Sequence, residues 1–350
     1  MRKRVLSNRL RFESLESRFM PAGNVVASLV GDLLLLRGDA AANNIALTAG
    51  AVNQQVVVTG VGTKVNGATA ARTFNNVRAV QVLLNDGNDI LSFDNGATAF
   101  LRSFTADGGR GNDSIAVDNV RAGTIAIADS LGGDDTVDVG AAAAVVIRQG
   151  MTIATNGGDD WIRVLNATIG GSLAIDAGTA PVWDSVFVAD SRIAGNAAIA
   201  TCGGDDVVRL QTTDVGGVLS IATGGNSAMG GDFIGLSDMT VTTGITIDAG
   251  AGNDLLNVTF VRTLNLIFDL GAGDDTIGVL AVNAPPGPAP GARGRLNVGA
   301  ATPGNTQNQG CLLIAIGGAG YDTLVGPNQL YFQFKTLCSF ERLSDPVPQP

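Results

Sequence analysis

Ten aspartates, each placed at a turn, are the residues whose type and spacing best suit chemistry in this chain. They are Asp89, Asp113, Asp135, Asp160, Asp184, Asp206, Asp232, Asp254, Asp275 and Asp322, with successive spacings of 24, 22, 25, 24, 22, 26, 22, 21 and 47 residues. An aspartate closing a glycine-rich turn is a compact oxygen ligand for a hard cation. It can also turn back on the local backbone and hold the turn itself. The choice of acid points to geometry rather than solubility: from Asp86 to Asp322 there are 26 aspartates and 10 arginines but no glutamate, and Glu13, Glu16 and Glu341 all lie outside.

A second acidic position accompanies the first. Asp107, Asp129, Asp248 and Asp269 stand six residues before their anchors, and Asp176 stands eight before Asp184. Like charges stacked one rung apart repel strongly without counter-ions, which favours a bound cation over turn formation alone. Four carboxylates should converge at Asp248, Asp254, Asp269 and Asp275, where two units 21 residues apart keep their glycines.

The elements that position these residues follow from the repetition, because a period between 20 and 50 residues is the signature of a solenoid. Apolar residues recur two and four places after the anchor, as in Ile115 and Val117, Val137 and Val139, Val208 and Leu210, and Leu256 and Val258. That alternation is a short strand. A second alternating segment precedes each turn, as in Ile245-Thr246-Ile247, and further apolar points fall at Ile169, Ile193, Val215 and Val241. The expected fold is all-β: a three-sided parallel β-helix (β-solenoid) of about ten rungs of 21–26 residues, on the order of 50 Å long. Ile162, Val186, Val208, Ile234 and Leu256 should form one buried column. The 48 glycines and 5% aromatic content would also suit a flexible linker, but a linker would not hold apolar residues at fixed offsets.

The chain divides into a leader over 1–22, a β-rich N-terminal cap over 23–82 and solenoid repeats over 83–284. A Pro/Gly-rich loop and degenerate rung follow over 285–309, then a last rung, C-terminal cap and tail over 310–350. In the cap, Val25–Val30 and Leu33–Leu36 read as strands joined at Gly31-Asp32. The leucine run is too short to span a bilayer, so no transmembrane segment is expected. The net charge of −10 argues against nucleic acid as a partner.

The turns resemble the calcium-binding nonapeptide repeats of the RTX family, G-G-x-G-x-D-x-U-x with U apolar. Gly108-Gly109-Arg110-Gly111-Asn112-Asp113-Ser114-Ile115 and Gly317-Gly318-Ala319-Gly320-Tyr321-Asp322-Thr323-Leu324 match fully. The turns ending at Asp135, Asp160, Asp206, Asp254 and Asp275 match in part. In that family stacked turns bind calcium through aspartates and turn carbonyls. With the second acidic position, the resemblance implies Ca2+ held by Asp107, Asp113, Asp129, Asp135, Asp160, Asp206, Asp248, Asp254, Asp269, Asp275 and Asp322. One departure matters: the family places a turn every nine residues on two sides of a flat roll, whereas here one turn comes every 21 to 26 residues.

Residues 1–22 carry Arg2, Lys3, Arg4, Arg9, Arg11 and Arg18 and no apolar core of a secretory signal. The string Arg9-Leu10-Arg11-Phe12-Glu13-Ser14-Leu15-Glu16-Ser17-Arg18-Phe19-Met20-Pro21-Ala22 resembles the sorting leader of planctomycete surface and secreted proteins, with Ser17 in place of the usual acid or proline. The resemblance implies export. A flexible basic arm for anionic partners is the alternative.

Catalysis has little support, since the chain has no histidine and no G-x-S-x-G, P-loop or dinucleotide fingerprint in context. The expected role is that of an exported or cell-surface, calcium-binding structural protein or adhesin, with cell-surface polysaccharide or other surface proteins as partners. The competing reading is a β-helix polysaccharide lyase or glycoside hydrolase, with Asp190, Ser191, Arg192, Arg163 and Arg209 lining a lateral groove. An adhesin should instead show an exposed strand face with clustered Thr, Asn and aromatic residues. Cys202, Cys311 and Cys338 lack zinc-ligand spacing; Cys311 and Cys338 either pair or stay as buried thiols.

Overall fold

The computed structural model describes residues 23–283 apart from 97–99, 179–182, 226–229 and 274, then the strands Leu312–Ile316, Thr323–Val325, Leu337–Cys338 and Arg342–Ser344. Side chains are described as far as residue 278. The leader, the 285–309 loop, Asp322 and the Cys311–Cys338 pairing therefore lie outside the described residues.

The chain is an all-β parallel solenoid of about 8 turns. Beyond the N-terminal segment its described strands fall into three sets, each pairing in parallel with the equivalent strand one turn on. The first set follows the anchors and includes Ser114–Asp118, Thr136–Val139, Trp161–Leu165, Ser185–Ala189 and Val207–Gln211. The second includes Val145–Ile147, Ala167–Ile169, Arg192–Ile193 and Asp214–Val215. The third includes Met151–Ala154, Leu173–Asp176, Ala197–Ala200, Val218–Ala222, Gly244–Asp248 and Asn265–Asp269.

Register follows the anchors. Ile115, Val137, Ile162, Val186, Val208, Ile234, Leu256 and Ile277 are successive partners, and all are buried. The predicted apolar column is thus the core. One corner recurs between the first and second sets, where Asn119, Asn166, Asp190, Thr212, Asp238 and Phe260 all take a left-handed backbone with φ between 48° and 53°. Asn and Asp adopt that conformation readily, whereas Thr212 and Phe260 do so against their steric preference.

The stack begins inside the 23–82 segment. Leu33–Arg37 pairs in parallel with Ala79–Leu83, and Asn44–Ala49 with Ile90–Asp94. Their other edges are taken by antiparallel strands, Asn24–Val30 through the Gly31 turn and Val56–Gly60, so the first turn presents little open sheet edge.

Candidate functional site

The anchor aspartates do not project into the turns. They point into the body of the coil, where Asp89, Asp113, Asp135, Asp160, Asp184, Asp206, Asp232, Asp254 and Asp275 are each at most 3% exposed. Parallel stacking places each anchor directly beneath its predecessor, and Oδ1 accepts the backbone N–H of the anchor one turn earlier. The Asp89 N–H reaches Asp113 Oδ1 at 2.6 Å, Asp113 reaches Asp135 at 2.8 Å, and Asp160 reaches Asp184 at 2.9 Å. The same contact at 2.8 Å links Asp135 to Asp160, Asp184 to Asp206, Asp206 to Asp232, Asp232 to Asp254 and Asp254 to Asp275. Asn43 opens the series, donating its N–H to Asp89. The result is an uninterrupted internal ladder of carboxylates.

The glycines serve this stacking. Gly158 has φ +126°, and a Cβ there would lie 1.9 Å from the Gly133 carbonyl oxygen of the turn before. Only glycine permits both that angle and that approach. The Gly157 carbonyl in turn accepts the Gly133 N–H at 2.8 Å, so turn carbonyls are engaged between rungs.

Burial acts on the carboxylates in one direction. For Asp89, Asp113, Asp135, Asp160, Asp184, Asp206 and Asp254 desolvation is the largest influence, opposed by the backbone N–H each accepts and reinforced by neighbouring carboxylates. It pushes Asp160 up to about 6, Asp89, Asp206 and Asp254 to about 7, and Asp184 to about 8. A buried anionic ladder is therefore costly, and protons or a cation relieve it.

The second acidic position divides into two. Register aligns Asp107 with Ala128, Ala154, Asp176, Ala200, Ala222, Asp248 and Asp269. Asp107 is half-buried and Asp176, Asp248 and Asp269 are exposed. Asp107 accepts from Ser130 N–H and Oγ–H, while Asp176 and Asp269 accept the N–H of Gly178 and Gly271, which is turn capping. Asp129 instead follows Ala128, one place further on, and faces inward in the row of Thr155, Ala177, Thr201, Thr223 and Ala249. Counting back from the anchor misplaced it because its turn carries one residue more. The expected convergence of Asp248, Asp254, Asp269 and Asp275 does not form: the first and third face solvent while the second and fourth are buried in the ladder.

One acidic group does come together among the described residues. Asp113, Asp129 and Asp135 each place a carboxylate oxygen within 4.8 Å of the others. All three are buried, and both oxygens of Asp129 together with Oδ2 of Asp113 and Oδ2 of Asp135 lack a hydrogen-bond partner. Gly108 makes the space: a Cβ there would lie 2.4 Å from Asp113 Oδ2 and 2.6 Å from Asp129 Oδ2. Burial raises all three, and the two flanking carboxylates push Asp129 furthest, to about 9. Three converging carboxylate oxygens suit a hard cation or shared protons, although calcium's usual six to eight oxygens require further donors. Elsewhere in Asp129's row the Thr155 hydroxyl donates to the Ala177 carbonyl and the Thr223 hydroxyl to the Ala249 carbonyl, each at 3.3 Å.

A solvent-facing ladder was missed in the sequence. Asn112 donates its N–H to Asn88 Oδ1 at 3.1 Å, Asp134 to Asn112 at 3.2 Å, Asp159 to Asp134 at 3.1 Å, and Trp183 to Asp159 at 3.1 Å. Its signal was the Asn or Asp immediately before most anchors.

The residues considered for a lateral groove are dispersed. Ser191 is buried and bonded to Ala167 N–H and the Ala189 carbonyl, and Arg192 lies in the second strand set. Arg163 pairs with Asp138 through two contacts of 2.5 and 2.6 Å. Arg209 stacks on Phe233, its guanidinium carbon 4.8 Å from the ring centre. Comparison with known proteins found no matching family, no matching curated protein and no matching solved structure.

Proposed function

We propose that this protein is an exported or cell-surface β-solenoid with a structural or adhesive role, and that calcium ordering its Asp113–Asp129–Asp135 cluster is part of that role. The observation carrying the metal half is the set of buried, unpartnered carboxylate oxygens around Gly108. The RTX-like turns favour calcium among hard cations, and the leader resemblance favours export. Asp113, Asp129 and Asp135 would hold the ion, whose charge would offset their mutual repulsion.

The structural and adhesive reading is preferred to the enzymatic one because a rigid stack of repeated rungs suits display. A catalytic groove would need carboxylates convergent in open solvent, whereas the convergent carboxylates here are buried. The test is calorimetric titration of calcium into chelator-treated protein, with thermal melts beside it. Wild type should bind and gain stability; Asp129→Thr, which installs the residue found at 155, 201 and 223, should fold but lose the tightest binding. Absence of binding by wild type, or equal binding by the variant, would remove calcium from the proposal.

A further inference from the structure

Successive partners put Asp138, Arg163, Phe187, Arg209, Gly235 and Asn257 in one outward row. Gly235 has no side chain to fill the row, and a Cβ there would lie 2.9 Å from the Phe233 ring and 3.6 Å from Arg209 Cγ. A depression of about 160 Å³ opens at that point, lined by Phe187, Arg209, Gln211, Phe233, Asn257 and Thr259 among others. Along the same face stand Trp161 and Trp183, both 42% exposed, with ring centres 6.2 Å apart. Trp161 and Phe233 occupy the same column three rungs apart, a separation of about 14 Å at the usual strand spacing.

The charge of this strip is the telling feature. The chain has a net charge of −10, yet the only charged side chain lining the depression is Arg209. Arg163 is neutralised by Asp138, whereas Arg209 makes no ion pair among the described residues. Stacking on Phe233 orders the guanidinium and leaves its N–H edge open for a planar carboxylate. Half-buried rings supply flat apolar faces, and the Gln211 and Asn257 amides with the Thr259 hydroxyl supply donors and acceptors. Apolar ring faces, hydroxyl-matching groups and one free cation on an open strip are the complement of an acidic sugar polymer.

We propose that this face docks a uronate-bearing polysaccharide, with its carboxylate on Arg209 and sugar ring faces on Phe187 and Phe233. The inference rests on the adhesive half of the reading above and names its partner. The full chain is titrated calorimetrically with a uronate oligomer, its methyl ester and a neutral glucan oligomer of equal length, with and without calcium. The acid should bind about tenfold more tightly than the ester, and Arg209→Ala should abolish that difference. Phe187→Ala should weaken the acid and the ester alike. Arg148→Ala is the control, since Arg148 also stacks on a ring, 4.0 Å over Phe100, but is not among the residues lining the depression; it should bind as wild type does. Melting curves confirm that each variant is folded. Equal affinity for acid and ester, unchanged binding by folded Arg209→Ala, or no binding of any sugar, as a protein-docking face would give, overturns the proposal. Sugar binding that persists in protein that binds no calcium leaves this inference standing and removes only the calcium half of the function.

Discussion

Raising the pH should destabilise the metal-free solenoid across the range where most proteins gain or hold stability. A buried ladder carboxyl keeps its proton to a higher pH than the same residue in the unfolded chain, whose ordinary value is 3.8. Between that value and the folded one the unfolded state binds fewer protons, so stability falls as pH rises and levels off above the folded value. For Asp89, Asp206 and Asp254, held near 7, the window runs from about pH 4 to about pH 7; for Asp184 it extends to about 8. Three pH units correspond to about 4 kcal/mol for an isolated group. Multiplying that over the ladder would exceed the whole stability of an ordinary domain. Neighbouring carboxyls must therefore share protons or relax, and even a quarter of the isolated value leaves about 1 kcal/mol for each residue.

The assay is urea unfolding followed by far-UV circular dichroism, at intervals from about pH 4 to about pH 8, in chelator and again in excess calcium. In chelator the midpoint should fall steadily with pH, reflecting a loss of several kcal/mol of unfolding free energy in total across the ladder. Calcium should restore part of the loss at the alkaline end, through the Asp113–Asp129–Asp135 cluster, and change little at the acid end where those groups are protonated. A midpoint in chelator that stays flat, or rises with pH as it does for a protein with salt-bridged acids, would refute the argument.

Other expectations follow from the same geometry. Truncating Val208 or Leu256, both fully buried in the anchor-plus-two column, to Ala should cost roughly 2–4 kcal/mol in urea unfolding at fixed pH. Gly158→Ala should cost at least about 2 kcal/mol, since it meets both a strained φ and a backbone oxygen, and crystallography of any folded variant should show the turn displaced. Deleting residues 1–22 should leave the melting temperature unchanged and retain the protein inside the cell, as read by cell fractionation.

The fold was legible because its signal is covariant over many units: a single Val two residues after an aspartate says little, but Ile162, Val186, Val208, Ile234 and Leu256 repeat it. Burial of that column is what the alternation predicted. The direction of the anchor side chains was not legible. A glycine turn ending in aspartate looks the same in sequence whether the carboxylate faces outward toward an ion or inward toward the next rung's N–H. Only the parallel register, which places one anchor N–H beside the next anchor's Oδ1, decides between them. Asp129 shows the same limit on a smaller scale, since one extra turn residue moved it from the row of Asp107 to the row of Thr155. The aromatic strip escaped notice because Phe187, Arg209 and Phe233 lie about a rung apart in space and over twenty residues apart in sequence.

The exclusion of glutamate from the array now has a physical cause. A ladder oxygen must sit within hydrogen-bond reach of a backbone N–H one strand spacing away, and a side chain longer by one methylene overshoots while adding rotamer entropy to be lost. Asparagine has the required reach, and the chain uses it: in the outer ladder Asn88 and Asn112 each accept the N–H of the next rung. Selection of the acid inside must then rest on what asparagine lacks, the capacity to carry a proton or share a cation. Replacing Asp160, Asp184 and Asp206 together by Asn isolates that capacity, because each amide oxygen can still accept the preceding N–H. The triple variant should fold, match wild type within about 1–2 kcal/mol near pH 4, and exceed it near pH 8 in chelator, where wild type carries buried charge. Calcium binding at Asp113, Asp129 and Asp135 should persist, since those residues are unchanged. If the variant fails to fold, or loses stability with rising pH as steeply as wild type, the ladder carboxyls are not the titrating groups and their ionisation does not govern the stability of the stack.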